Sequence, residues 1–286
     1  MTASGAGGPA SPAPEPLTAP PSEPAPAPVL LDVEDGVALL RLNRPEASNA
    51  MDIGMLRALH EAIMRCHGDR RVRAVLLSGA GPNFCAGGDV RDFASKGDAL
   101  PDYLRAATAY LQNAVLGLIR LDAPVVAAVQ GWATGGGGFG LVCASDIVLA
   151  ARSARLMLGA TRVGMAPDAG ASVTLQRIVG HRRALEIALT NPVIDAAAAF
   201  ELGLVTRVVD DGALDSESLA LARKLAGGPT KALGATKRLL WTGLGSSIEE
   251  CLPDEARTVS ELSGTEDARE GLAAVIERRE PRYTGR

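Results

Sequence analysis

The chain has 286 residues, enough for one large domain or two small ones, and its 47% hydrophobic, 22% charged and 3% aromatic residues describe a globular protein cored by Ala, Val and Leu. A net charge of −4 with no dense Lys/Arg block argues against a nucleic-acid partner. The widely spaced Cys66, Cys85, Cys143 and Cys251 argue against a metal site or a disulfide framework and fit a reducing cytoplasm, and no apolar run approaches the roughly 20 residues that span a bilayer.

Residues 1–28 hold nine of the 18 prolines and read as a disordered tail. From Val29 onward, "VLLDVEDGVALLRLN" predicts two strands around a Glu34-Asp35-Gly36 turn. "NAMDIGMLRALHEAIMRCH" then predicts a helix with Met55, Leu59 and Ile63 on one face. Residues 73–79 and 123–131 read as buried strands on either side of a helix over 102–120. Short strands follow in "SDIVLAA" and "ARLMLG", helices open near Gly170 and His181, and "GLVTRVV" is a late strand. After Asp211 the chain reads as helix, with Gly227-Gly228 placed to close one helix and Pro229 to open the next. The alternation predicts an α/β core over residues 29–211 and a helical part over 212–286.

The stretch "GWATGGGGFG" (131–140) raises the question of what its glycines hold. Gly135, Gly137 and Gly140 satisfy G-x-G-x-x-G, but only "FGLVCAS" separates them from the next strand, too little for the crossover helix and trailing acid of a dinucleotide site. A P-loop fails as well, because Phe139, Gly140 and Leu141 stand where Lys and Ser/Thr are needed. Two readings remain: glycines that permit tight packing, or bare N–H groups at a helix start that face an oxygen becoming negative during reaction. "NFCAGGD" (83–89) offers a second small-residue turn with candidate donors.

The segments "LNRPEASNAM", "FCAGGDV", "APVVAAVQGWATGGGGFGLVCASDI" and "RVGMAPDAGASVTLQRIVG" together resemble the crotonase superfamily of enoyl-CoA hydratases and isomerases, over nearly all of residues 29–286. The resemblance implies a ββα spiral core and a C-terminal helical trimerisation region, with trimers often paired into hexamers. It implies an acyl-CoA thioester as substrate, no separate cofactor, and two N–H donors that hold the enolate oxygen. One donor maps to Ala86. The other maps to Gly137 counting back from Asp146, or to Gly136 counting forward from Gly131, because this loop is one residue longer than the family pattern. Gly137 is preferred, since a loop absorbs an extra residue more easily than a packed helix. The acyl-CoA contacts implied are Cys85, Gly87, Asp89, Val90, Trp132, Ala160 and Arg44.

Hydratases of the family use two glutamates, and those positions fall here on Gly140 and Ala160; no glutamate occurs between Glu61 and Glu186. Among the aspartates of that window, Asp168 stands apart, flanked by small and apolar residues just before a helix. It is either the N-cap of that helix or, as the resemblance implies, the single acid/base group of an isomerase. A low-polarity setting would raise its pKa. A dehalogenase-like pattern also runs through this tract, without the tryptophan expected at Ala160. His60, His67 and His181 read as scaffold, and Cys85 as packing rather than nucleophile. Residues 91–103 read as a mobile loop beside the acyl pocket, with Arg44, Arg91 and Lys96 as candidate phosphate contacts. Three functions stay open: an acyl-CoA isomerase, another crotonase-type reaction such as dehalogenation, hydration or C–C cleavage, and a silent acyl-CoA-binding relative.

Overall fold

The structure, a computed structural model, describes residues 1–2 and 26–286. The expected tail over residues 1–28 therefore lies almost wholly outside the described residues.

Strand β1 (Val29–Glu34) and β2 (Val37–Leu42) form the expected antiparallel hairpin. Its turn puts Asp35 and Gly36 both at positive φ, 50° and 81°, the geometry that matches strand twist and favours an Asp-Gly pair. β2 then pairs parallel with β3 (Ala74–Gly79), β3 with β4 (Val125–Val129), β4 with β6 (Ile147–Ala151), and β6 with β9 (Arg207–Val209). The result is a six-stranded sheet of order β1-β2-β3-β4-β6-β9. β3 and β4 are buried along almost their whole length, because layers cover both faces of this parallel stretch.

One face carries α1 (Ile53–Gly68) and α3 (Leu100–Arg120). The buried stripe of α1, Met55, Leu59, Ala62 and Ile63, meets Ala107, Leu111, Ala114 and Leu118 of α3 in the main core. The other face is covered by α8 (Leu214–Ala226), whose Leu214, Ala222 and Ala226 close a second core over Val37, Leu76, Val126 and Leu149. The first helix of the expected C-terminal part is thus a layer of the sheet core. The helices α9 (Thr230–Gly243), α10 (Ile248–Ser263) and α11 (Glu266–Glu277) follow it.

A smaller sheet, β5-β7-β8, is built from Trp132–Thr134, Arg155–Met157 and Ile194–Asp195. Beyond it, α5 (Ala171–Val179), α6 (His181–Thr190) and α7 (Ala196–Glu201) pack at the periphery. Residues 91–103, expected as a loop, are instead built into α2 (Val90–Ala94), a 3-10 turn and the start of α3. The Tyr103 hydroxyl donates to Asp92 at 2.5 Å and accepts from the Ile53 N–H at 2.9 Å, which ties this segment to the start of α1. Among the described residues no helix is long and apolar enough to cross a membrane.

Candidate active site

The site forms where two backbone segments run side by side. Leaving β3, the chain bridges to β5: Cys85 N–H donates to Trp132 C=O at 3.0 Å, Thr134 N–H to Cys85 C=O at 2.9 Å, and the Thr134 hydroxyl to Ala86 C=O at 2.6 Å. On its other side Met51 N–H donates to Gly87 C=O at 2.8 Å and Asp89 N–H to Met51 C=O at 3.0 Å. The fully buried Asn49 serves the carbonyls of Ala80, Asn83 and Phe84 through its amide and holds the loop to this course. Gly87 sits at φ 90°, and any side chain on it would press to 2.8 Å of Thr134 C=O.

These bonds correct the first expected donor. Ala86 N–H already donates to Ser48 C=O at 3.0 Å and has no hydrogen left for a substrate. In the parallel bridge between Met51 and Gly88, both bonds to Met51 come from Gly87 and Asp89, so the N–H of Gly88 faces away. Among the described residues it meets no acceptor. The ring of Phe93 packs directly on Gly88, 2.6 Å from where a side chain would begin. Gly88 and Phe93 were both missed from sequence, because the direction of an N–H in this loop depends on which strand it bridges.

The glycine run opens not an α-helix but a π turn. Gly135 turns the chain at φ 61°, and Gly136–Gly140 form one i→i+5 turn that continues into α4 (Leu141–Ala144). A π turn closes with one residue more than an α turn. The surplus residue is therefore absorbed inside the helix, which reverses the premise that favoured Gly137. Counting forward from Gly131, the position ahead of the surplus is Gly136, which is half-buried, whereas Gly137 is buried against Met51, Cys85 and Gly87. No side chain caps this helix start, and its first N–H groups have no acceptor within the helix.

Asp168 reaches this helix start. Its Oδ1 fills the space in which a side chain on Gly136 would begin, so the carboxylate lies against the bare glycine backbone. Burial pushes its pKa above the ordinary carboxylate value. The capping alternative is not realised: the cap of α5 is Gly170, and no side chain accepts from the N–H groups of its first turn. The turn that aims Asp168 is unusual, since Ala169 and Gly170 follow it with φ 52° and 74°. The left-handed region costs an alanine roughly 1–2 kcal/mol.

Neither expected hydratase position offers an acid. Ala160 opens a 3-10 turn (Ala160–Val163), and a methyl on Gly140 would stand 2.5 Å from the Ala169 Cβ, so position 140 has no room for a side chain. Several other expected contacts have partners within the chain. The Cys85 thiol is fully buried, donates to Asn49 C=O at 3.1 Å and has its pKa pushed up to about 12 by burial. Arg44 is held by Asp52 at 3.0 Å, Asp89 at 3.2 Å and Ala50 C=O at 2.5 Å, and Asp89 also caps α2. Lys96 pairs with Asp92 at 2.6 Å beneath the ring of Tyr103. Val90 and Trp132 are solvent-facing, at the start of α2 and of β5.

The chain is similar over nearly its whole length to known proteins. A family model described as enoyl-CoA hydratase/isomerase matches residues 32–286. A probable enoyl-CoA hydratase of Rhodobacter capsulatus is 38% identical over 255 residues, which covers 89% of this chain and 97% of the relative. The 1,2-epoxyphenylacetyl-CoA isomerase of Escherichia coli is 37% identical over 261 residues, covering 90% and 98%. Among solved structures, an enoyl-CoA hydratase of Mycobacterium smegmatis superposes with a TM-score of 0.84 at 35% identity, covering 91% of this chain and 99% of that one.

Proposed function

The chain belongs to the enoyl-CoA hydratase/isomerase family, and on that premise we propose that it shifts a carbon–carbon double bond in an acyl-CoA thioester, with Asp168 as its one acid/base group. The thioester carbonyl lies between the N–H of Gly88 and the helix start at Gly136. Developing negative charge on that oxygen is met by two fixed donors and the positive end of a helix, and one such donor is worth about 10²–10³ in rate. Asp168 takes a proton from the carbon next to the carbonyl or its vinylogous position, the enolate forms against the donors, and the same carboxylic acid returns the proton at the other end of the allylic unit. Every bond change is then a proton transfer, and the reaction so written draws on no metal or redox cofactor.

The observation that carries this reading is the single carboxylate. Asp168 lies over the glycine helix start, and Gly140 and Ala160 give no second acid to position and deprotonate a water. The test offers the purified protein 2-enoyl, 3-enoyl, dienoyl and 4-chlorobenzoyl-CoA thioesters and follows products by mass spectrometry. Isomerisation that is lost in Asp168→Asn while acyl-CoA binding persists is the expected result. Hydration at full rate in Asp168→Asn would overturn it, release of chloride would point to attack by Asp168 on the ring, and binding with no turnover would point to a silent relative.

A further inference from the structure

Asp168 and Ala169 are neighbours in sequence, yet both side chains lie on the same helix. In extended chain, successive side chains point to opposite faces. The left-handed backbone of Ala169, at φ 52°, followed by Gly170 at φ 74°, removes that alternation. Asp168 Oδ1 then occupies the side-chain space of Gly136, while the Ala169 methyl occupies that of Gly140, one turn further along. Ala169 is only 2% exposed, so its methyl is a packed contact and not a bystander. The aspartate loop therefore rests on the glycine helix at two points, and with Asp168 and Ala169 in place neither point has room for a side chain.

We propose that Ala169 is the positioning residue of Asp168: its methyl, seated on Gly140, fixes the carboxylate over Gly136 and fills the volume from which the glycine helix could present a second acid. This rests on the reading of Asp168 as the acid/base group and deepens it, because one small side chain both aims the base and confines the site to one carboxylate. A left-handed alanine is retained where glycine would be free of strain, and the seated methyl supplies the reason.

The geometry predicts an exchange of methyl groups between the two positions. In Gly140→Ala the new methyl collides with Ala169 Cβ at 2.5 Å, but its next neighbours on residue 169 are the carbonyl oxygen at 3.6 Å and Cα at 3.7 Å, ordinary contacts. Ala169→Gly removes the collision partner. We expect kcat to fall about 10-fold to 100-fold in Gly140→Ala and about 10-fold in Ala169→Gly, with KM for the thioester little changed, since a displaced catalytic group loses rate and not binding. The Gly140→Ala/Ala169→Gly double variant should return to within about 3-fold of the parent, a strong positive coupling in a double-mutant cycle.

Two further readings separate positioning from mere structure. The Tm of Ala169→Gly should stay close to the parent, because relief of backbone strain offsets the lost burial of one methyl. The Asp168 carboxyl pKa, followed by NMR with carboxyl-labelled aspartate, should move toward the ordinary value in Ala169→Gly and back up in the double variant. The cycle is read on whichever thioester the parent turns over, so a parent that hydrates would sink the isomerase reading and leave this one standing. If the parent turns over none, the NMR titration decides. Parental kcat in Gly140→Ala, multiplicative losses in the double variant, or an Asp168 pKa indifferent to residue 169 would each overturn the proposal.

Discussion

Asp168 is held where its charged form is poorly solvated, and this has consequences for both rate and stability. Its pKa is raised by burial above the ordinary 3.8, so the acid limb of a kcat/KM profile should lie above the usual carboxylate range and vanish in Asp168→Asn, with kcat down about 10²–10⁴-fold. For stability, a raised carboxyl pKa means that the folded state holds its proton more tightly than the unfolded chain. The associated stabilisation is complete below pH 3.8 and is lost as pH rises through the folded value. Asp168→Asn should therefore raise Tm at pH 7 and lose that advantage in acid; thermal melts at the two pH values check it, and an equal shift at both would contradict the linkage. Arg44 gives the contrasting case of a charge whose partners are internal. Arg44→Ala should lower urea stability by about 1.5–3 kcal/mol, the range for charged hydrogen bonds, and leave KM for acyl-CoA unchanged. A ten-fold rise in KM at parental stability would return Arg44 to the substrate.

Among the elements, α9 is joined to the core through a buried charge. Lys237 is 8% exposed, donates to Leu118 C=O at 2.7 Å and pairs with Asp146 at 2.7 Å, while Asp146 also accepts the Val125 N–H. Burial lowers the Lys237 pKa and Asp146 opposes the shift. Removing one partner of such a pair strands the other, so Lys237→Met should cost about 3–5 kcal/mol in denaturant unfolding, and a smaller loss in Lys237→Met/Asp146→Asn would show that the stranded carboxylate was the cause. The same elements show what is legible in sequence. β3, β4, α1 and α3 are readable because burial leaves continuous or 3.6-periodic apolar runs, whereas the local sequence of Asp168 leaves a helix cap and an acid/base group both open and only the family resemblance favours the second. β5, β8 and α7 are too short to leave a pattern and exist through their neighbours. The π turn left only the surplus residue of its loop as a signal, since glycines carry no periodicity. Its closure is set by what presses on it: Cys85 C=O on Gly138, Asp168 on Gly136 and Ala169 on Gly140. The donor turn was read one bridge out of phase for a related reason, because Ser48 takes the Ala86 N–H and leaves that of Gly88.

At the scale of the whole molecule, the last three helices carry one band of exposed apolar side chains. Leu240 on α9, Leu244 just after it, Ile248, Leu252 and Val259 on α10, and Leu272, Val275 and Ile276 on α11 are all exposed, Val275 and Ile276 at 78% and 80%. The three on α11 recur at i, i+3 and i+4 and form one stripe. A lone soluble chain rarely leaves such a band to water, and burying each side chain would be worth about 1.5–3 kcal/mol. α11 is itself held in place from below, since the Asp267 carboxylate accepts the Thr284 and Gly285 N–H groups at 2.7 and 2.8 Å and so fastens the chain end to the helix start. We therefore expect copies of the chain to associate through this band. Sedimentation velocity should report an oligomer at micromolar concentration, and Val275→Asp/Ile276→Asp should dissociate it and lower Tm while leaving Lys237 and Asp146 undisturbed. A monomeric parent with an unchanged melting point in that variant would show that the band is ordinary surface, and would leave the acyl-CoA site complete within one chain.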